Sequence, residues 1–163
     1  MESWEIVGGA RLVGEVRLTG AKNSVLKLMA AALLAPGRTV LTEVPDILDV
    51  DIMGQLLTRL GAQVVHDRPA GAVAIDVPDQ LDHRADYDLV RRMRASISVL
   101  GPLLARCGEA DIALPGGDNI GSRGLDMHIA GLERMGAQVS VQHGYLQAVA
   151  RQLRGSTIWL DFP

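Results

Sequence analysis

Fourteen residues occur twice in related form. Residues 51–64 read Asp-Ile-Met-Gly-Gln-Leu-Leu-Thr-Arg-Leu-Gly-Ala-Gln-Val, and residues 126–139 read Asp-Met-His-Ile-Ala-Gly-Leu-Glu-Arg-Met-Gly-Ala-Gln-Val. Every matched pair is 75 positions apart, whereas Leu33-Leu34-Ala35 and Leu103-Leu104-Ala105 are 70 apart. The identities run past the amphipathic helix pattern into the strand entry, which favours duplication over chance. Two copies of a helix–glycine–strand unit predict two similar subdomains packed about a pseudo-axis. The five extra residues of the second copy fall in the Gly-rich stretch 115–124, the first place to look for chemistry, because functional loops are carried as insertions on repeat scaffolds.

The rest of the chain punctuates into short elements. Apolar alternation predicts strands over residues 4–7 and 12–18, around a Gly8-Gly9 turn. Helices are expected over 24–35, stopped by Pro36-Gly37, and over 49–60, stopped by Gly61. A longer helix is expected over 88–105, kinked or shortened by Pro102, and another over 125–135, stopped by Gly136. Strands are expected over 38–44, 62–65, 73–77, 111–114, 138–141, 145–149 and 157–160. This order suggests an α/β or α+β protein. With aromatics at only 3% of 163 residues, aliphatics and alanine must fill the core.

Charge and cysteine usage exclude several roles. Sixteen Lys and Arg against nineteen Asp and Glu leave a net charge of −3, which speaks against a nucleic-acid partner. The longest apolar run, residues 29–35, is too short to span a membrane. The N-terminus has no basic stretch followed by an apolar one, so no signal peptide is expected. The single Cys107 fits a reducing cytoplasm and reads as a small buried helix residue rather than a nucleophile. His66, His83, His128 and His143 lack metal-ligand spacing.

Three motifs could carry chemistry. Thr19-Gly-Ala-Lys22-Asn23-Ser24 sits between a strand and a helix, where free N–H groups and a lysine attract anions. It is not a Walker A loop, and Asn23 or Ser24 could instead cap the helix while Lys22 is solvated. Leu114-Pro-Gly-Gly-Asp118-Asn-Ile-Gly-Ser-Arg123-Gly124 is too rich in glycine for regular structure and carries an acid and a bidentate anion binder, although a solvated turn would read the same way. Arg91, Arg92 and Arg94 place three cations in four helical positions, either as a solvated face or as an anion clamp.

Together these segments resemble the enolpyruvyl transferases. Leu18-Thr-Gly-Ala-Lys-Asn-Ser, Tyr87-Asp-Leu-Val followed by Met93-Arg-Ala-Ser-Ile, Leu114-Pro-Gly-Gly, Ile120-Gly-Ser-Arg and Asp126-Met-His-Ile-Ala-Gly-Leu-Glu carry the resemblance, which spans nearly the whole chain. It implies an inside-out α/β barrel of two domains built from repeated units. The branch resembled most transfers the enolpyruvyl group of phosphoenolpyruvate to the 3-hydroxyl of UDP-N-acetylglucosamine and releases phosphate, the first committed step of peptidoglycan synthesis. Cell wall formation, cell shape and cell division would depend on it. No metal or organic cofactor is implied. By matching position, Lys22 corresponds to a lysine that binds phosphoenolpyruvate and steadies charge in the tetrahedral intermediate. Asn23 corresponds to a sugar-nucleotide contact, Arg94 to the functional arginine after methionine, and Arg123 to a phosphate contact. Gly124, Leu125, Asp126 and Met127 match the stretch beside the uracil ring, with glycine where many relatives have proline. Asp118 stands where many relatives carry the cysteine that protonates the methylene carbon and is alkylated by fosfomycin. A carboxylic acid can deliver the proton but is a poor nucleophile toward an epoxide, so fosfomycin resistance is expected.

The resemblance also implies that residues 1–21 belong with the second domain, and that residues 22–163 form an incomplete catalytic domain of two units, about 22–85 and 86–163. Relatives continue past position 163, with the base for the sugar hydroxyl further on. The chain alone is therefore expected to lack transferase activity, and the unpaired edges of an incomplete fold would favour self-association. Two other readings stay open: a transferase acting on another uridine nucleotide in secondary metabolism, and a non-catalytic sugar-nucleotide-binding or regulatory fragment.

Overall fold

A computed structural model describes residues 3–85, 87–114 and 124–159. In the first half, helix α1 (Lys22–Ala32) turns Val25, Leu26, Met29 and Ala30 inward at helical spacing. Strand β1 (Gly37–Leu41) follows, then helix α2 (Leu48–Arg59), strand β2 (Gln63–Asp67) and strand β3 (Ala72–Val77). Asp49 and Asp51 fall in the first turn of α2, where the helix dipole favours carboxylates. In the second half come β4 (Arg84–Ala85), α3 (Tyr87–Arg92), a 3₁₀ turn (Arg94–Val99), α4 (Leu100–Cys107), β5 (Glu109–Ala113), α5 (Asp126–Arg134), β6 (Gln138–Gln142) and β7 (Tyr145–Val149).

The two halves share one connectivity. The first sheet has the order β1-β3-β2, all antiparallel. The second has β5-β7-β6, also antiparallel, with β4 added in parallel beside β5. The helix stops agree atom for atom. Gly61 donates its N–H to Thr58 and Ala62 to Leu57, while Gly136 donates to Glu133 and Ala137 to Leu132, at 2.9–3.1 Å. Both glycines are left-handed, with φ of 106° and 100°, a conformation that a Cβ disfavours. The strand exits match as well: Val44 N–H bonds Gly71 O at 2.9 Å, and Leu114 N–H bonds Gly144 O at 2.8 Å. After that shared bond, α2 starts at Leu48, whereas α5 starts only at Asp126. More residues separate these two points in the second copy than in the first.

One apolar cluster serves both halves, including Leu26, Met29, Leu57, Ile75, Leu104, Ile112 and Leu146. Arg106 ties the halves further, donating to Leu33 O at 3.0 Å, Pro78 O at 3.2 Å and Asp79 O at 2.9 Å. No helix among the described residues is long and apolar enough to cross a membrane.

Three expectations need correction. The single helix over 88–105 is broken, and not at Pro102. Met93 is extended and buried, and the buried Ser96 hydroxyl donates to Met93 O at 2.6 Å and Val90 O at 3.0 Å, closing the break. Pro102 falls in the first turn of α4, where its missing N–H costs nothing. Residues 4–7 and 12–18 form no strands: Trp4, Ile6, Leu12 and Val16 stand exposed, with no neighbouring strand among the described residues to pair with. Residues 157–159 are likewise not a strand, and residue 160 lies outside the described residues.

A cavity of about 620 Å³ beside α2 holds a polar network away from the motif residues. His66 Nδ1 lies 3.0 Å from Asp51 Oδ1, and Arg68 bridges Asp51 Oδ2 at 2.5 Å and Asp46 Oδ1 at 2.6 Å. The His66 hydrogen bond, with the Arg68 guanidinium beside it, holds the Asp51 carboxyl below its ordinary range. Such a carboxylate stabilises the fold above the ordinary carboxylate pKa, and this contribution is lost as pH falls below about 4. Asp51→Asn is expected to flatten the acid limb of the urea midpoint plotted against pH. An acid limb identical to wild type would contradict the assignment.

Candidate functional site

The break at Met93 has a direct consequence for the arginines. Arg91 and Arg92 end α3, but Arg94 opens the 3₁₀ turn, so the three do not share one cationic face. Arg91 turns back onto Tyr87, with its guanidinium 5.4 Å from the ring centroid and Nη1 3.1 Å from the hydroxyl. Arg92 and Arg94 point elsewhere, into a cavity of about 390 Å³ that they share with Lys22, Asn23 and Asp49.

Lys22 is the first residue of α1, and its Nζ lies 2.9 Å from Asp49 Oδ2 in the first turn of α2. The Thr-Gly-Ala-Lys segment is anchored just upstream, where Gly20 N–H donates to Glu43 O at 2.9 Å. Ala21 occupies the cap position of α1 and makes no side-chain cap, so neither Asn23 nor Ser24 is the capping residue. Asn23 instead lines two cavities: the one that Lys22 enters, and an adjoining one of about 550 Å³ formed with Lys27, Arg94, Ser98 and His128.

Arg94 lines a third cavity, of about 320 Å³, with Leu114, Gly124, Leu125 and Ile129. One arginine thus borders the Lys22–Asp49 compartment, the Asn23–His128 compartment and the Gly124–Leu125 compartment. Gly124 packs tightly against the first turn of α5, so that a Cβ there would collide with Asp126 Oδ1. Met127 is 53% exposed. Asp118 and Arg123 lie outside the described residues.

Burial pushes the Cys107 thiol up, and its sulfur faces Leu81 O at 3.8 Å, so it stays a protonated packing residue. His83 pairs with Glu109 at 3.5 Å. Among the described residues no group of three or more His, Cys, Asp and Glu side chains could hold a metal. Sequence reasoning named Arg92 within the arginine cluster but missed Asp49, Lys27 and His128 as lining residues. Only the dipole-favoured acid at the start of α2 carried any local signal for them.

Duplicated antiparallel units, with a cation-lined site between the first helix and the loop-bearing second copy, define the class. The family model for EPSP synthase (3-phosphoshikimate 1-carboxyvinyltransferase) matches residues 6–163, and the chain belongs to that enolpyruvyl transferase family. It is similar to UDP-N-acetylglucosamine 1-carboxyvinyltransferase of Corynebacterium jeikeium, at 53% identity over 162 residues, covering 99% of this chain and 38% of the relative. The enzyme of that name from Mycobacterium tuberculosis is 55% identical over 163 residues, with the same coverage. Among solved structures, the enolpyruvyl transferase NikO from Streptomyces tendae superposes with a TM-score of 0.76 at 26% identity, covering 90% of this chain and 32% of that one. EPSP synthase from Acinetobacter baumannii shares the fold, with a TM-score of 0.62 at 18% identity over 88% of this chain and 33% of that one. The chain spans 38% of the length of these curated relatives.

Proposed function

We propose that these residues form the nucleotide-side half of an enzyme that transfers the enolpyruvyl group of phosphoenolpyruvate to the 3-hydroxyl of UDP-N-acetylglucosamine, in the cytoplasm, as a step of peptidoglycan synthesis. The observation that carries this reading is Arg94 bordering all three compartments, so that one arginine is common to the cavities lined by Lys22, by Asn23 and by Gly124 and Leu125. Phosphoenolpyruvate and the intermediate are polyanions, and fixed cations stabilise them best where water is excluded. Lys22 holds phosphoenolpyruvate, and Asn23 and Arg94 hold the sugar nucleotide. Arg123 contacts phosphate, and Gly124, Leu125, Asp126 and Met127 flank the uracil. In the addition step the sugar 3-hydroxyl oxygen bonds to C2 of phosphoenolpyruvate and loses its proton to the base that relatives carry beyond the stretch matched here, while Asp118 gives its proton to the methylene carbon. In the elimination step the methyl carbon returns a proton to the Asp118 carboxylate, the C2–O bond to phosphate breaks, and phosphate leaves.

On this reading residues 1–21 side with a second domain and residues 22–163 supply two repeat units, about 22–85 and 86–163, of an inside-out barrel. A chimera in which this chain replaces the matching 38% of the Mycobacterium tuberculosis relative tests the function. Phosphate release that requires both substrates is expected, and its absence from a folded chimera would overturn the reading. The same assay tests a second acceptor: turnover of another uridine nucleotide in preference to UDP-N-acetylglucosamine would favour that reading.

Asp118 yields a sharp prediction. A carboxylate opens an epoxide poorly compared with a thiolate, so the chimera is expected to resist fosfomycin, and Asp118→Cys to make it sensitive. Unchanged turnover of that variant in excess drug would contradict the role given to Asp118.

A further inference from the structure

We propose that Lys27 is a further substrate-binding residue, the cation that holds the diphosphate of the sugar nucleotide; this rests on the function proposed above. Lys27 lies four residues after Asn23 on α1, so the two side chains share a helix face. Both line the cavity of about 550 Å³, together with Arg94, Ser98, His128 and Leu132. That volume suits a ligand of nucleotide size.

The charge balance of the two adjoining compartments differs. Lys22 enters a compartment that also contains Asp49, and the two are ion-paired at 2.9 Å. The compartment of Lys27 carries two cationic side chains and a histidine, and among the described residues no carboxylate lines it. Lys27 itself meets no carboxylate among the described residues. It is also misplaced for a lysine serving the helix dipole, because a cation gains from the C-terminal turn and Lys27 sits at the middle of α1. A flexible ammonium facing an acid-free cavity suits a mobile, doubly charged group such as a diphosphate. The ribose and base then extend toward Arg94 and the Gly124–Leu125 compartment.

Calorimetric titration of the chimera described above with UDP, with UDP-N-acetylglucosamine and with uridine tests this, using wild type, Lys27→Gln and Lys27→Arg. Lys27 is exposed, so equal urea midpoints are expected for all three proteins. Loss of one charge-assisted contact should weaken UDP binding about tenfold and flatten its salt dependence, while uridine binding is unchanged. Lys27→Arg should restore most of the loss. If Lys27→Gln binds UDP within about twofold of a wild type that itself binds, the role of Lys27 is overturned and the functional reading stands. If wild type binds neither UDP nor UDP-N-acetylglucosamine, the functional reading falls, and the inference with it.

Discussion

Lys22→Ala is expected to lower kcat/KM for phosphoenolpyruvate in the chimera by about two to three orders of magnitude, the range seen when one preorganised electrostatic contact is removed from a transition state. The ammonium begins α1, so its backbone is fixed by the helix start, and Asp49 fixes its tip at 2.9 Å. A cation already oriented by a neighbouring acid needs little reorganisation when charge develops on the intermediate. Asp49 also competes with substrate for the same ammonium. Asp49→Asn, which keeps the shape and removes the charge, is therefore expected to tighten phosphoenolpyruvate binding modestly while lowering kcat. A merely structural Asp49 would not split the two parameters in this way. Lys22→Arg should fail to rescue, because a planar guanidinium cannot replace a compact ammonium against the same carboxylate. Near-normal kcat/KM in Lys22→Ala would remove Lys22 from the site.

The legible parts of this molecule were those governed by neighbours in sequence. Gly61 and Gly136 announced the ends of α2 and α5 because a left-handed residue must follow each helix, and both occupy that position. Strands β2, β3, β6 and β7 were legible from apolar alternation, although which of them pair was not. Period alone failed over 88–105. The break there depends on Ser96 reaching two carbonyls from a buried position, and a serine in an apolar helix pattern does not reveal which way its hydroxyl turns. It failed again over 4–7 and 12–18, since alternation shows that a segment could pair but not that a partner is present. For the site, Lys22, Asn23 and Arg94 could be picked out by motif, and they border common cavities. Asp49 and His128 could not, because α2 and α5 reach those cavities through tertiary packing that no local spacing encodes. Residues 115–123 of the Gly-rich insertion, with Asp118 and Arg123, lie outside the described residues, so their part in the site rests on the resemblance to the family.

Gly20→Ala should damage the site from a position that touches no substrate. Gly20 N–H bonds Glu43 O at 2.9 Å, and an alanine Cβ would overlap that oxygen outright, with Glu43 C at 3.3 Å and Pro45 Cδ at 3.7 Å. The obstacle is backbone, not the yielding end of a side chain. Nor can Glu43 easily retreat: it is held at φ 57°, a conformation few non-glycine residues adopt, and the next residue, Val44, is tied to Gly71 O. The bond must therefore break and the Gly20–Ala21 backbone must move. Losing the bond and relieving the clash should cost about 1–3 kcal/mol, measurable as a lower urea midpoint. The loss of activity should exceed that, because Lys22 is two residues away and a shift of about 1 Å in a positioned group can lower the rate about a hundredfold. Gly8→Ala is the matched control, since a Cβ there meets nothing within 4 Å and no left-handed backbone is involved. It should leave the urea midpoint of the 163-residue chain unchanged. If Gly20→Ala behaved like Gly8→Ala, the close approach to Glu43 would not be what sets the position of Lys22. If it lowered stability without lowering kcat/KM, the start of α1 would be held by its packed face, through Leu26 and Met29, instead of by the glycine contact.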